Sequence, residues 1–113
     1  MKIYIAAPFE LRDEAIAAGQ VLKARGHEIT STWLRDPGVN DDIWARIDLG
    51  DVKRADALVL LNPEDYRNSG TGGRHAEFGY AIALGKRLVV VGVRSNIFHQ
   101  LSYVRVIEKI EDI

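Results

Sequence analysis

The chain has 113 residues, and its 15 basic and 16 acidic side chains leave a net charge of -1. We therefore expect one domain spanning 1–113, without the single-sign field that would attract polymeric nucleic acid or an anionic membrane. The sequence contains no cysteine, which excludes disulfides, thiolate nucleophiles and cysteine zinc sites. Met1 leads straight into a strand-like segment without a signal-peptide pattern, so we expect a cytoplasmic protein.

The first half of the chain predicts two strand and helix pairs. "KIYIAA" at 2–7 is a short apolar run typical of a buried strand, and apolar residues at helical spacing predict a helix over 11–25 that Gly26 closes. "HEITSTW" at 27–33 alternates and is rich in β-branched residues, which predicts a second strand. The loop "LRDPGVN" then leads to a second helix, predicted over 41–55.

The second half continues the alternation. "DALVLL" at 56–61 and "RLVVVG" at 87–92 are continuous apolar runs, typical of parallel strands covered on both faces. A third helix is predicted over 74–85, "NIFHQL" reads as a short helix, and "YVRVI" at 103–107 as the last strand. The fold class predicted from this pattern is α/β, a single-domain doubly wound sheet of five parallel strands.

The loops after the first, third and fourth strands are the expected place for a ligand, because doubly wound sheets bind ligands beyond the carboxyl ends of their strands. These loops contain "APFELR", "NPEDYRNSGTGG" and "VRSN". The "SGTGG" segment offers unobstructed backbone N–H groups, two hydroxyls and the start of a helix, which suit an oxyanion or a sugar hydroxyl. It is neither a P-loop nor a dinucleotide fingerprint, and a flexible loop that binds nothing is the alternative.

Two carboxylates interrupt apolar helical stripes. Glu77 lies in the first part of the third predicted helix, beside an apolar stripe that includes Tyr80. Helix capping through the macrodipole is the alternative to a catalytic role for it. Asp48 falls between Trp44 and Val52 on the second helix, where a surface ion pair is the alternative to a functional role.

Two aromatic residues complete the candidate set. Tyr4 lies in the middle of the first strand, where a core position is common but a buried hydroxyl needs a partner. Trp33 ends the second predicted strand and either stacks on a ligand or packs against a helix. No histidine has metal-binding spacing, so we expect no metal site. Tyr4, Asp48 and Glu77 are expected to approach one ligand held by "SGTGG".

Three segments resemble the nucleoside 2-deoxyribosyltransferase family, which includes 2'-deoxynucleoside 5'-phosphate N-hydrolases and related nucleotide N-glycosidases. They are "KIYIAAPF", "RIDLGDVKRADALVLL" and "GTGGRHAEFGYAIALGKRLVVV". The resemblance implies a flavodoxin-like sheet, no cofactor, and a homo-oligomer with active sites shared between subunits. By position it implies that Glu77 attacks the anomeric carbon, that Asp48 assists near the base, and that Tyr4 orients the glutamate.

The loop before Glu77 departs from the base-exchanging members of the family, which carry acidic residues there. Here the loop is "SGTGG", with Thr71 six residues before the glutamate, and it is similar to the version in hydrolases of 5'-monophosphates. We therefore predict a small-molecule substrate, a nucleoside 5'-monophosphate, with Arg12 as a countercharge. A free-nucleoside deoxyribosyltransferase and a non-catalytic nucleotide sensor are the alternatives. A phosphoacceptor domain is disfavoured because Asn62, not an aspartate, follows the third strand.

The predicted substrate-binding residues come from the loops named above and from a segment expected to reach the site of a neighbouring subunit. That segment is "RSNIFHQL", with Asn96 and His99 as its polar members. The full predicted set is Pro8, Phe9, Arg12, Trp33, Ser69, Gly70, Thr71, Gly72, Gly73, Asn96 and His99.

Overall fold

Five parallel strands and three helices make up the computed structural model, which describes residues 1–113. The strand order is β2-β1-β3-β4-β5, the doubly wound, flavodoxin-like arrangement, so the predicted fold class is confirmed. The strands are β1 (Lys2–Ala6), β2 (Glu28–Ile29), β3 (Ala57–Asn62), β4 (Arg87–Gly92) and β5 (Val104–Ile107). The helices are α1 (Arg12–Ala24), α2 (Asp42–Arg54) and α3 (Gly73–Ala83).

The two faces of the sheet are covered by different helices. Every residue of the central strand β3 is buried, as its continuous apolar sequence predicts. Ile5 of β1 packs towards Gly19 of α1, whereas the neighbouring Tyr4 points to the opposite face and reaches α3. None of the helices combines the length and apolar character needed to span a membrane.

The second strand is much shorter than the predicted 27–33. It ends at Ile29, and Thr32–Leu34 form a 3-10 turn instead. The ladder stops because side chains take over the hydrogen bonds: the hydroxyl of Ser31 accepts from the Ile5 N–H at 3.1 Å, and Asp51 accepts from the Thr32 N–H at 2.9 Å. This turn sets the orientation of Trp33 described below.

The carboxyl end of β3 is fixed by Asn62, whose side chain is fully buried. Its amide donates to the Val93 carbonyl at 2.7 Å and to the Ser95 hydroxyl at 3.0 Å. Beside it, Gly92 has φ +123, and a Cβ there would lie 2.2 Å from the Asn62 carbonyl oxygen. Asn62 therefore organises the loop after β4, and the end of β3 presents no carboxylate that would accept a phosphoryl group.

Candidate active site

Glu77 is held by a hydrogen bond from Tyr4. The hydroxyl of Tyr4, in the middle of β1 and fully buried, donates to Glu77 Oε2 at 2.7 Å. Burial, followed by the negative charge of Glu77, raises the pKa of Tyr4 far above its usual range, so the hydroxyl remains a donor. Glu77 Oε1 makes no hydrogen bond within the chain. Tyr4 thus fixes one carboxylate oxygen and leaves the other free.

Two adjoining cavities meet at Glu77. The first, of about 290 Å³, lies between the loop after β1 and the glycine turn before α3. The second, of about 640 Å³, extends from the same place along α2. Both volumes lie in or near the range of small-molecule sites. The residues common to the two are Phe9, Pro37, Asp48, Thr71, Gly73 and Glu77.

This cleft opens beside the carboxyl ends of β1 and β3, where the strand order reverses, as expected for such a sheet. Another cavity, of about 560 Å³, lies around Arg87 and Tyr103 near the amino ends of the strands. Its lining is mainly apolar and includes no aspartate or glutamate side chain. The carboxylates therefore locate the candidate site in the cleft at Glu77.

Two carboxyl groups of the cleft, those of Glu77 and Asp48, bind protons more tightly than usual. Burial raises the pKa of Glu77 to about 7; the Tyr4 hydrogen bond opposes this rise, and the charges of Asp48 and Asp51 add to it. Burial, with the charge of Asp51, raises the pKa of Asp48 to about 6. Between about pH 6 and 7 the two groups together hold about one proton. The cleft can therefore present one carboxylate and one carboxylic acid at the same time.

Asp48 is not the surface ion pair considered as its alternative role. Its Oδ1 atom is buried and has no hydrogen-bond partner. The nearby arginines are paired elsewhere, Arg46 with Asp42 at 2.8 Å and Arg54 with Asp51. An unpaired buried acceptor costs free energy, and such groups are typical of sites that are completed by a ligand or by water.

The glycine turn before α3 leaves several backbone donors free. Gly70 and Gly72 have φ values of +74 and +87, which only glycine adopts without strain. The N–H groups of Thr71, Gly72 and Gly73 make no hydrogen bond within the chain. Free N–H groups at the start of a helix favour an anion or a hydroxyl oxygen. The turn therefore has the donors that the sequence predicted for it.

Arg74, which follows the turn, is a residue that the sequence analysis missed. It is only 4% exposed, and its guanidinium donates to the carbonyls of Tyr66, Arg67 and Ser69 at 3.3, 3.1 and 2.5 Å. It fixes the preceding loop and places a positive charge beside the glycine turn. One signal was available, because a cation in the first turn of a helix opposes the macrodipole and needs another reason to be there.

Most predicted substrate-binding residues line the cleft. Phe9 is 63% exposed at its mouth, whereas Trp33 is buried and donates its Nε1–H to the Ile5 carbonyl at 2.9 Å. Trp33 therefore packs against β1 and borders the cavity from a fixed position. The predicted residues found in the lining are Pro8, Phe9, Trp33, Gly70, Thr71, Gly72 and Gly73.

Arg12 and Ser69 do not line the cleft, contrary to expectation. Arg12 donates to the carbonyls of Trp33 and Leu34 at 3.3 and 2.5 Å, so its guanidinium stabilises the turn after β2 and does not provide the predicted countercharge. The Ser69 carbonyl accepts from Arg74, which makes Ser69 part of the loop's support. In both cases the local sequence gave no sign of these backbone partners.

His99 and Asn96 lie away from Glu77 in their own chain. His99 is fully buried, packs its ring 4.9 Å from that of Phe78, and accepts from the Ser95 N–H at 3.0 Å. It is a core residue and is not available to a neighbouring site. Asn96 begins the 3-10 turn Ile97–Gln100 and accepts from its second N–H. No group of three metal-binding side chains is present in the chain.

Replacing Tyr4 with phenylalanine should raise the pKa of Glu77 further, because the Tyr4 hydrogen bond stabilises the charged carboxylate. We expect the acidic limb of the pH dependence of any Glu77-dependent activity to move to higher pH, with about a tenfold loss at pH 7. A pH titration of the Glu77 carboxyl carbon by NMR measures this directly. A Glu77 pKa that is unchanged or lower in the variant would contradict the orienting role.

Two solved structures resemble this fold over nearly its whole length. The 2-deoxyribosyltransferase of Bacillus psychrosaccharolyticus has a TM-score of 0.78 and 27% identity, over 99% of this chain and 89% of its own. The CMP N-glycosidase of Clostridium botulinum has a TM-score of 0.68 and 19% identity, over 98% and 92%. No family model matches the sequence, and no curated protein sequence matches it.

Proposed function

We propose that this chain, whose fold is similar to those of a 2-deoxyribosyltransferase and a CMP N-glycosidase, is an enzyme of the nucleoside 2-deoxyribosyltransferase-like family that cleaves the N-glycosidic bond of a (deoxy)nucleoside 5'-monophosphate. The reaction passes through a covalent glycosyl-Glu77 intermediate and releases the free base. The observation that carries the proposal is the carboxylate pair. Glu77 is oriented by Tyr4 and shares its cleft with Asp48, and the pKa of each carboxyl is raised towards neutrality.

In the first step Glu77 Oε1, the oxygen free of Tyr4, attacks C1' of the sugar. The bond from C1' to the base nitrogen breaks, its electron pair leaves with the base, and Asp48 donates a proton to the departing base. The positive charge that develops at C1' favours the ionised form of Glu77, so the proton shared by the pair is carried by Asp48. One carboxylate acts as nucleophile and one acid serves the leaving group, as in retaining glycosidases.

In the second step a water molecule replaces the base. Asp48, now ionised, takes a proton from the water, whose oxygen attacks C1' as the bond to Glu77 Oε1 breaks. The products are the free sugar phosphate and the regenerated carboxylate of Glu77. If a second base attacks instead of water, the same intermediate gives base exchange.

The glycine turn favours a substrate that carries a phosphate on the 5' end of its sugar. Its free N–H groups at Thr71, Gly72 and Gly73 lie at the start of α3, next to the buried cation of Arg74. The Thr71 side chain adds a hydroxyl donor to the same cavity. Charge-assisted hydrogen bonds of this kind contribute roughly 1.5 to 3 kcal/mol each, and they can position the sugar against Glu77.

Thr71→Asp should therefore depress monophosphate cleavage much more than nucleoside cleavage, because it places a negative charge where the phosphate is expected. We expect the ratio of kcat/KM for a monophosphate to that for its nucleoside to fall by about tenfold or more. Thr71→Ser, which keeps the hydroxyl, is the matched control. A wild-type enzyme that favours the free nucleoside, or an aspartate variant that lowers both values equally, would contradict the phosphate assignment.

A nucleoside deoxyribosyltransferase is the second candidate, and one observation favours it. The carboxylate of Glu10 lines the same cavity as the glycine turn, and an acidic group there suits a 5'-hydroxyl better than a phosphate. Incubating the protein with a panel of nucleosides and 5'-monophosphates, with and without a second base, separates the candidates by the products formed. Tight binding without any base release would instead indicate a nucleotide sensor.

We also propose that the active site is completed in a homo-oligomer. The cleft is open to solvent along α2, and the turn after β4 exposes Ile97 and Phe98 by 75% and 59%, a pair of apolar side chains suited to contact between subunits. Sedimentation at micromolar concentration should show a dimer or larger assembly, and Phe98→Asp should shift it towards monomer with loss of activity. A fully active monomer would defeat this proposal.

A further inference from the structure

The phosphate end of the cleft contains an acidic side chain that the proposed reaction does not use. Glu10 lies in the 3-10 turn Phe9–Leu11 that leads into α1, and it lines the cavity formed with the glycine turn and Arg74. Its carboxylate makes no hydrogen bond and no ion pair within the chain. Glu10 is exposed, so water solvates it in the free protein and nothing fixes its rotamer.

The Glu10 carboxylate lies close to Gly70 of the glycine turn. A Cβ built on Gly70 would lie 3.8 Å from Glu10 Oε2 and 3.5 Å from Arg74 Nη1. The two opposite charges therefore lie near the same glycine without forming a salt bridge. The negative charge of Glu10 also opposes the fall in the pKa of Arg74 that burial causes, which indicates that the two groups interact electrostatically.

Two kinds of group thus converge on one end of the cavity. The free N–H groups and the Arg74 cation attract an anion, whereas the Glu10 carboxylate repels an anion and accepts a hydrogen bond from a hydroxyl. A bound phosphate requires the Glu10 side chain to rotate into solvent, which its exposure and lack of partners allow. A bound 5'-hydroxyl lets it remain and accept a hydrogen bond.

We infer that Glu10 is a specificity-determining residue, which sets the preference of this cleft between substrates that end in a 5'-hydroxyl and substrates that end in a 5'-phosphate. This inference rests on the proposed function for the identity of the substrates. The electrostatic opposition between Glu10 and a bound phosphate does not depend on which reaction follows.

Glu10→Gln tests the inference, because it keeps the size of the side chain and removes its charge. Glu14→Gln is the matched control: Glu14 is exposed on the first turn of α1, lines neither cavity of the cleft, and loses the same charge. We expect Glu10→Gln to raise kcat/KM for a monophosphate by about fivefold and to lower it for the corresponding nucleoside by about threefold. The control should change neither value by more than about twofold.

Binding of inorganic phosphate, measured by calorimetry at low ionic strength, provides a second readout that requires no turnover. We expect phosphate to bind Glu10→Gln about fivefold more tightly than wild type, and added neutral salt to reduce this difference. If no substrate releases its base, the proposed function fails, while the phosphate measurement still decides the role of Glu10. Phosphate affinities of Glu10→Gln and wild type within twofold of each other, or no phosphate binding to either protein, would overturn the inference.

Discussion

Glu77→Gln should reduce base release by about 10³-fold or more while the protein remains folded, because the variant has no carboxylate to form the bond to C1'. The structure explains why the effect is large. Tyr4 holds Oε2 and leaves Oε1 free, and Asp48 serves the leaving group in the proposed mechanism. No other carboxylate shares the Tyr4 hydrogen bond. A residual activity above about a tenth of wild type, a barrier change of less than ~1.4 kcal/mol, would contradict the nucleophile assignment.

The stability of the same variant provides an internal control. The pKa of Glu77 is about 7 in the folded protein and has an ordinary value of 4.5, so the folded state binds the proton more tightly than the unfolded state. The free energy of unfolding therefore falls as pH rises from about 4.5 to 7. Glutamine does not ionise, so the Glu77→Gln variant does not lose stability in this way. At pH 8 its free energy of unfolding, measured by urea denaturation, should be at least as large as that of wild type. An inactive variant that is also much less stable would leave loss of folding as the cause.

Asp48→Asn should lower base release by about 10²- to 10⁴-fold, the usual range for removal of a general acid and base. The wild-type kcat/KM should be bell-shaped in pH, with limbs near the raised pKa values of about 6 and about 7. Below the first value both carboxyls are protonated and the nucleophile is lost. Above the second both are ionised and the acid is lost. The two limbs belong to the coupled pair and not to single residues.

The shape of the Asp48→Asn profile distinguishes proton transfer from a structural effect. Without Asp48 the alkaline limb should disappear, and the pKa of Glu77 should fall because one neighbouring negative charge is gone. With leaving groups that need no proton, the first release of the base should be nearly as fast in the variant as in wild type, whereas the second step, in which Asp48 takes a proton from water, should remain slow. A pH profile and a rate equal to those of wild type would show that Asp48 takes no part in proton transfer.

The strands and helices were largely predictable because their signals are local. The runs at 56–61 and 87–92 correspond to β3 and β4 within one residue at each end, since a strand buried on both faces requires a continuous apolar sequence. The second strand was not predictable to the same degree. Its alternating pattern continues past Ile29, but Ser31 and Asp51 provide side-chain partners that end the ladder.

The sequence indicated candidate site residues where a charged side chain interrupts the apolar stripe of a helix. Glu77 and Asp48 stood out as carboxylates on apolar stripes, and the structure places both in one cleft. Arg74 was missed because its hydrogen-bond partners are backbone carbonyls, which the sequence does not reveal. Arg12 was wrongly predicted to provide a countercharge to the phosphate. It begins α1, just after the loop that follows β1, but its guanidinium donates to the carbonyls of Trp33 and Leu34 in the turn after β2.

Trapping the covalent bond between Glu77 and the sugar tests the proposed mechanism most directly. A substrate analogue with fluorine next to C1' slows the second step, so the intermediate accumulates and is detected by mass spectrometry of the intact protein and its peptides. The proposed mechanism predicts release of one base per subunit and a sugar adduct on the peptide that contains Glu77, absent in Glu77→Gln. Continued base release with no adduct, or an adduct on a different residue, would contradict it.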